Sequence, residues 1–402
     1  MFESYLVRQP IFNINKNVIG YELFFNDSNL PISHADEQST STSIFNDFIE
    51  NKLSFLVDNN QVFIRISREI ITNHNGLVKP LIKIALVLPD DLNIDNEIIT
   101  GIESLIKKGY QIALNNNKTT DIQKEIIRLS HFVKVDINQY KVGELSLLIA
   151  NLKGYPTKLI AVGVETLSQY KHCQILGFDS FQGQYINQPE ISHGKQLPAN
   201  QVYVMQLLGE LHNTNTESKD LENIIKNDVG LSFKLLSYIN SAAFSLKNEI
   251  ESIRHAITIM GISEIKKWAS IIALSNIKNK PVELIRIALI RAKMCEQLTQ
   301  ISGNNNPGSA FLVGLFSTLD LLMDAPLKLL LDMLPLSKDI TDSLLFRTGP
   351  YSNVLNCVYF YENRNWTEIE NTGFSETDII SSYQQSTAWS NESSRQLHSK
   401  AA

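Results

Sequence analysis

The sequence is poor in cysteine. Its 402 residues include three cysteines, Cys173, Cys295 and Cys357, which stand far apart with no CxxC spacing and no histidine-rich neighbourhood. This pattern offers neither a metal-binding motif nor a redox pair. We therefore predict three reduced, buried thiols.

Long apolar runs and blocks of like charge are also missing. No run of about 18 apolar residues occurs, and the N-terminus lacks a basic segment followed by an apolar one, so neither a membrane span nor a signal peptide is expected. The net charge is −6, with acids and bases spread along the chain. This balance does not favour nucleic acid as a partner. The expected location is the cytoplasm.

The chain does contain enough apolar residues for more than one core. Hydrophobic residues make up 43% of the sequence and charged residues 19%, which is typical of a soluble globular protein. The length favours two domains, or three.

The first half alternates short apolar strands with helical stretches, which predicts an α/β architecture. The predicted strands lie near 5–12, 18–25, 61–66, 82–88, 111–115, 132–136, 158–164 and 177–182. The predicted helices lie near 41–57, 96–109, 119–130, 139–152 and 166–173. Eight strands with interleaved helices indicate a (β/α) barrel, and the segment NINKN between the first two strands favours a hairpin there. The barrel is therefore expected to be irregular at its start.

The second half shows helical periodicity and predicts an all-α domain. Ser252 is placed to cap a helix that Gly261 ends, and Ser263 to cap the next one. The last stretch is rich in serine and glutamine with few apolar residues, so we expect it to be largely disordered. The predicted domains are a barrel at 1–190, a linker at 191–200, a helical domain at 201–370 and a polar tail at 371–402.

Motifs in the first half resemble those of the EAL domain, a barrel phosphodiesterase that hydrolyses cyclic di-GMP. They are RQPIFNINKNVIGYELFF (8–25), FVKVDI (132–137), AVGVET (161–166) and LGFDSFQGQYINQP (176–189). In the second half, DVGLSFKLLSYINSAAF (228–244) and IESIRHAITIMGISEIKKWA (250–269) are similar to the signature region of HDOD domains. The resemblance implies an irregular (β/α) barrel of EAL type followed by a helical HDOD domain.

The resemblance also implies a site for two divalent cations, held by carboxylates and an asparagine at the C-terminal ends of the strands. Glu22 keeps the first acid, and four further residues match retained family positions: Lys134, Asp136, Glu165 and Gln182. Polar groups at a barrel mouth also commonly hold loops together, which is the alternative explanation for these four.

Most of the remaining family positions differ. Asn26 stands where the family has a nucleotide-contacting Arg, and Arg65 stands in place of a metal-binding Asn. Acids are replaced at the other positions: Ala85 and Val162 each stand in place of a Glu, and Asn115 and Asn116 in place of the paired Asp residues. Because Mg²⁺ and Mn²⁺ need hard anionic oxygens, we expect a degenerate site with no metal and no cofactor. We also expect the Arg65 guanidinium to pair with Glu22 on the neighbouring strand; the alternative is a solvated surface arginine.

HDOD domains look like relatives of HD phosphohydrolases, which bind metal through histidines and an adjacent His-Asp pair, yet that dipeptide occurs nowhere in this chain. Phe316 and Ser317 stand where it is expected, and the second half contains only His212, His255 and His398. A histidine-rich metal site is therefore not expected. His255 is expected to cap or pack on its helix.

These observations favour a non-catalytic bacterial signalling protein that acts through protein–protein interactions. The resemblance alone implies pathways of motility, attachment or biofilm formation. The alternative is a receptor that binds cyclic di-GMP without hydrolysis; a working phosphodiesterase is the least favoured reading.

Overall fold

The fold is that of a computed structural model, which describes residues 4–27, 57, 60–73, 77, 79–80, 82–90, 92–115, 123–187, 197–213, 215–240, 250–277, 280–303 and 306–398. The chain divides into two compact units, residues 1–188 and residues 189–402. This division lies close to the predicted domain boundary at residue 190.

Eight strands form the first unit's sheet. They are β1 (Ser4–Asn13), β2 (Val18–Asp27), β3 (Gln61–Arg65), β4 (Ile84–Val87), β5 (Gln111–Asn115), β6 (Phe132–Asp136), β7 (Lys158–Val162) and β8 (Ser180–Gln182). They close into a barrel in sequence order. β1 runs antiparallel to both β2 and β8, whereas the other neighbours are parallel. The predicted strands and the irregular start are confirmed.

The hairpin between β1 and β2 follows from its asparagines. The Asn13 side chain accepts hydrogen bonds from the backbone N–H groups of Asn15 and Asn17, at 2.9 and 3.0 Å. Asparagine side chains stabilise turns in this way because they substitute for backbone acceptors. The tight turn leaves no room for a crossover helix, so β2 returns antiparallel.

Helices follow the parallel strands. They are α1 (Arg68–Thr72), α2 (Asn96–Lys107), α3 (Gln123–Leu129), α4 (Val142–Leu152) and α5 (Leu167–Leu176), with short 3₁₀ turns at Ile137–Gln139 and Gln184–Asn187. All except α1 were predicted. The expected helix at 41–57 lies almost wholly outside the described residues.

Side-chain caps fix where these helices begin. The Asp95 carboxylate accepts from the N–H of Ile98 at 3.0 Å and starts α2. Thr166 and Gln169 form a reciprocal capping box that starts α5. Such caps satisfy backbone donors that have no partner inside the helix.

Two apolar layers hold the barrel unit together. One lies between the strands and the surrounding helices. The other fills the barrel interior and consists of Ile11, Phe63, Ala85, Val87, Ala113, Phe132 and Ile160. The interior is therefore a packed core rather than a channel, and polar side chains are confined to its ends.

The described part of the second unit is helical, as predicted. Its helices are α6 (Ala199–His212), α7 (Ser218–Asn227), α8 (Val229–Ile239), α9 (Ile253–Met260), α10 (Ile262–Ser275), α11 (Val282–Ile301), α12 (Pro307–Phe316), α13 (Leu319–Met323), α14 (Leu327–Asp332), α15 (Lys338–Leu345), α16 (Ser352–Glu362), α17 (Trp366–Glu370) and α18 (Glu376–His398). None of the described helices is long and apolar enough to cross a membrane.

The turn between α9 and α10 corrects one sequence prediction. Ser252 caps α9 and Gly261 ends it, both as predicted. Ser263, however, lies inside α10, which begins at Ile262 directly after Gly261. Gly261 adopts a φ of 84°, which reverses the chain within one residue because glycine has no side chain to oppose it.

The polar tail prediction is wrong for most of its length. Residues 376–398 form α18, and residues 399–402 lie outside the described part. Several of its small polar side chains are buried, and two of them find acceptors: the Ser386 hydroxyl donates to Gln297 at 3.0 Å, and the Ser390 hydroxyl to the Arg286 carbonyl at 3.1 Å. Composition predicted disorder because it counts serine as solvent-seeking, whereas small hydroxyls can pack closely once they find acceptors.

The three cysteines are buried and unpaired, as predicted. Burial raises the pKa of the Cys173 thiol to about 11, which keeps it protonated at neutral pH.

Candidate functional site

The strand register brings the predicted site residues to one face. Glu22 lies opposite Phe63, which belongs to the interior core. Every second residue points the same way, and in-register neighbours share a face. Seven predicted positions therefore line the interior at the C-terminal ends of the parallel strands, here called the barrel mouth: Glu22, Arg65, Asn115, Lys134, Asp136, Val162 and Gln182.

Glu22 is the centre of a buried polar network. Its Oε1 accepts from the Lys134 ammonium at 2.6 Å, and its Oε2 accepts from the Gln182 amide at 2.5 Å. The same Gln182 amide donates to Gln9 Oε1 at 2.9 Å. Glu22, Lys134 and Gln182 are only 2%, 4% and 1% exposed. Both carboxylate oxygens of Glu22 are thus occupied by donors from the protein itself.

The charges in this network determine its protonation. Burial opposes ionisation of Glu22 most strongly, but the Lys134 ammonium, the Gln182 amide and the Arg65 charge together hold the pKa of the Glu22 carboxyl below its usual value. Burial lowers the pKa of Lys134, Glu22 opposes this shift, and Arg65 adds to it. The result is an internal pair of one carboxylate and one ammonium.

Arg65 shares the mouth with Glu22, but the ion pair of Glu22 is with Lys134. Arg65 is half-buried, follows the interior face of β3, and acts on both Glu22 and Lys134 through its charge. The alternative of a solvated surface arginine is therefore wrong. The hydrogen-bonded cation of Glu22 is Lys134, which comes from the opposite side of the barrel, a proximity that adjacent-strand reasoning does not reveal.

The donor set at the mouth does not fit two divalent cations. A metal ion would need the oxygen lone pairs that Lys134 and Gln182 occupy on Glu22, and it would meet the positive charges of Lys134 and Arg65. Among the described residues, no group of three or more His, Cys, Asp or Glu side chains is placed to hold a metal ion.

The other replaced positions that the structure describes add no negative charge that could balance a metal ion. Ala85 is fully buried beside Phe63 in the interior core, and Val162 is an apolar neighbour of that core. Asn115 ends β5, half-buried, opposite Lys134. Asn116 and the side chain of Asn26 lie outside the described part of the chain.

Asp136 has a local structural role. The Asp136 carboxylate accepts from the Asn138 N–H at 3.0 Å and from the Gln139 amide at 3.3 Å. Asn138 in turn donates to the Gly163 carbonyl at 2.9 Å, which ties the loop after β6 to the loop after β7. The side chain of Glu165 is exposed. Holding loops together was the alternative explanation, and Asp136 fits it.

Sequence reasoning missed Gln9. It lies directly opposite Glu22 in the antiparallel β1–β2 pair, and its side chain accepts from Gln182. The signal was available in the hairpin, because a predicted NINKN turn fixes the register of the two strands. Gln182 Oε1 is buried and has no hydrogen-bond partner among the described residues.

In the helical unit, a second buried charge pair lies where a His-Asp pair was considered. The Arg291 guanidinium donates to both oxygens of Glu362, at 2.8 to 3.0 Å, to the Tyr359 hydroxyl at 2.9 Å and to Ser317 at 3.4 Å. Phe316, which precedes Ser317 in the chain, is fully buried. A glutamate whose two oxygens both accept from a guanidinium is unsuited to holding a metal ion.

Two histidines of this unit have described side chains, and the contacts given for His212 are structural. The His212 ring is hydrogen-bonded to Ser270 Oγ at 2.8 Å and packs edge-on against Phe316. Burial, with a contribution from Lys266, lowers the pKa of His212 to about 4. The His255 side chain is exposed, and its backbone N–H donates to Ser252.

Comparisons with known proteins agree with this division. Residues 197–324 match the HDOD domain family. The uncharacterised protein YuxH of Bacillus subtilis (strain 168) is 27% identical over 380 residues, which are 92% of this chain and 93% of YuxH. The cyclic di-GMP phosphodiesterase CdgJ of Vibrio cholerae serotype O1 is 25% identical over 406 residues, covering 98% of this chain and 94% of CdgJ.

Among solved structures, an EAL domain protein from Listeria monocytogenes EGD-e is similar over 46% of this chain and 87% of that one, with 16% identity and a TM-score of 0.36. That score is too low to add support. The motifs, the closed barrel that starts with an antiparallel hairpin, and the HDOD match carry the assignment. The chain therefore has the two-part EAL–HDOD architecture that its motifs implied, with its HDOD domain at residues 197–324.

Proposed function

We propose that this protein is a non-catalytic regulator in bacterial cyclic di-GMP signalling and that it acts through protein–protein interactions. Motility, surface attachment and biofilm formation are the processes in which we expect it to act. The cytoplasm is the compartment we propose for it.

A single observation carries the non-catalytic part of this proposal. Both oxygens of the Glu22 carboxylate are bound by Lys134 and Gln182, and Arg65 adds a further positive charge at the same mouth. Metal-assisted hydrolysis needs cations that polarise the phosphate and activate water. A mouth whose central carboxylate is already neutralised from within cannot supply them.

The relatives are consistent with a role in this signalling system without fixing the activity. CdgJ is named as a cyclic di-GMP phosphodiesterase, at 25% identity to this chain. Hydrolysis depends on a few ligands rather than on the fold, so a shared fold leaves the activity of this chain to its own residues.

The second candidate is a receptor that binds cyclic di-GMP without hydrolysis. It is favoured by the positive charges of Arg65 and Lys134 at the mouth and by the buried acceptor Gln182 Oε1. Against it, Asn26 stands where the family has a nucleotide-contacting Arg. Losing such a charged hydrogen bond costs about 1.5–3 kcal/mol, which is roughly tenfold to a hundredfold in affinity.

Calorimetric titration of cyclic di-GMP into the full chain, with Mg²⁺ or with EDTA, separates the two candidates. We expect no saturable heat at micromolar ligand under either condition. Saturable binding in EDTA that is weakened by Gln182→Leu but not by the control Gln300→Leu, which alters an exposed glutamine of α11, would replace the proposal with the receptor function.

A further inference from the structure

The helical unit contains a cavity of about 200 Å³ that the barrel chemistry does not explain. It lies between α8, α10, α11, α12 and the terminal helix α18. Pockets for drug-sized ligands measure about 300–1,000 Å³, so this cavity suits a smaller metabolite. Its outer wall comes from α18, which begins beyond the matched HDOD residues 197–324.

Aromatic rings form the apolar part of the wall. Trp389 of α18 lies 5.6 Å from Trp268 and 6.1 Å from Phe311, measured between ring centroids. The Tyr238 ring is tilted by 32° against Trp268, with the ring centroids 3.5 Å apart. These rings offer a surface for an apolar side chain of modest size.

The inner charges of the cavity are balanced among themselves. The Lys267 ammonium donates to Glu296 and, at 2.6 Å, to Glu264. The second oxygen of Glu296 accepts from Lys293 at 2.7 Å. Glu296 therefore has both oxygens bonded, and the two lysines are neutralised by two glutamates.

Two groups on the cavity wall retain unused hydrogen-bonding capacity. The Lys293 ammonium has three N–H donors and spends one of them on Glu296, while its side chain stays 28% exposed. The exposed Glu392 carboxylate of α18 has no ion-pair partner among the described residues. Within that part of the chain, no ion pair joins Lys293 to Glu392, although both line the same cavity.

We propose that this cavity binds a free amino acid with an apolar side chain. Its carboxylate would receive hydrogen bonds from Lys293, its α-ammonium group would pair with Glu392, and its side chain would pack against Trp268, Trp389 and Phe311. A purely cationic ligand would leave the remaining Lys293 donors unused, and a purely anionic ligand would leave the Glu392 carboxylate unpaired. A zwitterion satisfies both free groups at once.

The test is a fluorescence titration of the full chain with L-leucine. Two of the three tryptophans line the cavity, so binding should change their emission. We expect a saturable change at micromolar to millimolar L-leucine. We expect none with isoamylamine, which lacks the carboxylate, or with 4-methylpentanoate, which lacks the ammonium group.

Variants then identify the two contacts. Glu392→Gln, an exposed change that should leave folding intact, and Lys293→Met are each expected to weaken L-leucine binding about tenfold or more, as loss of a charged hydrogen bond does. Glu370→Gln in α17, an exposed glutamate away from the cavity, is the control and should bind like the original chain.

Three results would overturn the proposal. They are no saturable signal up to 10 mM L-leucine, equal binding of isoamylamine or 4-methylpentanoate, and full affinity in Glu392→Gln. Circular dichroism of Lys293→Met distinguishes a lost contact from a lost fold, and Glu392→Gln keeps the test decisive if that variant does not fold.

Discussion

At the scale of single residues, Glu22 illustrates how a buried carboxylate can be satisfied without a metal. Lys134 and Gln182 bind its two oxygens, and all three side chains are almost completely buried. A buried ion pair contributes little net stability, because both charges lose their hydration, but removing one partner leaves the other uncompensated. The consequence is that each member depends on the other.

This dependence predicts the effect of Glu22→Gln. The change removes the counter-charge of buried Lys134, and we expect the barrel to lose about 3–5 kcal/mol of unfolding free energy. Lys134→Met should cost a similar amount, whereas the double variant should recover much of the loss. Urea denaturation of the full chain measures the effect.

Glu165→Gln is the matched control, since Glu165 is an exposed glutamate in the loop after β7. Its unfolding free energy should change by less than about 0.5 kcal/mol. Equal stabilities for Glu22→Gln and Glu165→Gln would show that the buried pair is not formed in solution.

The buried His212 should make the free energy of unfolding depend on pH. Its pKa is about 4 in the folded chain, against an ordinary value of 6.5. The unfolded chain therefore takes up the proton first as the pH falls, so the stability is complete above about pH 6.5 and declines down to about pH 4. The full difference between the two pKa values corresponds to about 3 kcal/mol of unfolding free energy.

Melting temperatures between pH 7 and pH 4.5 test this prediction. In His212→Gln the melting temperature should depend less on pH over this interval. His255→Gln, which alters an exposed histidine, should keep the original dependence. If the two variants gave the same pH profile, His212 would not be the responsible group.

At the scale of elements, α11 and α12 cross at Gly314. A Cβ atom placed on Gly314 would lie 2.4 Å from the backbone oxygen of Arg291. A backbone atom cannot move aside as the end of a side chain can. The close crossing also positions Arg291 near Ser317 at the end of α12, so the helix packing and the buried charge pair depend on each other.

Gly314→Ala is therefore expected to destabilise the helical unit by about 1–3 kcal/mol, as overpacking does. Gly143→Ala in α4 is the matched control, because its added Cβ would meet nothing within 4 Å. That change should be neutral or slightly stabilising. Thermal denaturation of both variants measures the difference, and a neutral Gly314→Ala would contradict the crossing.

Prediction from sequence succeeded where local patterns determine the element. The apolar strands of the barrel and the Ser252 and Gly261 helix ends each depend on a few neighbouring residues. It failed where distant partners decide. The buried serines of α18 find acceptors on α11, and Lys134 reaches Glu22 across the barrel. Neither partner can be read from the surrounding sequence.

At the scale of the whole molecule, each unit holds a buried cation bonded to a carboxylate. In the barrel the pair is Lys134 with Glu22, and in the helical unit it is Arg291 with Glu362. The first pair contains Glu22, where the resemblance implied a metal ligand, and in the second Arg291 donates to Ser317, one of the two residues that stand where a His-Asp pair is expected. This repetition supports the proposal of a regulator that kept two enzyme-like folds and lost their metal chemistry.

The most direct measurement is an initial-rate assay of the full chain on cyclic di-GMP with Mg²⁺ or Mn²⁺, run beside Glu22→Gln. We expect no turnover above the rate of Glu22→Gln with either metal. Metal-dependent hydrolysis by the original chain that stops when EDTA removes the metal would contradict the proposal, since it would show that the folded chain binds a catalytic cation.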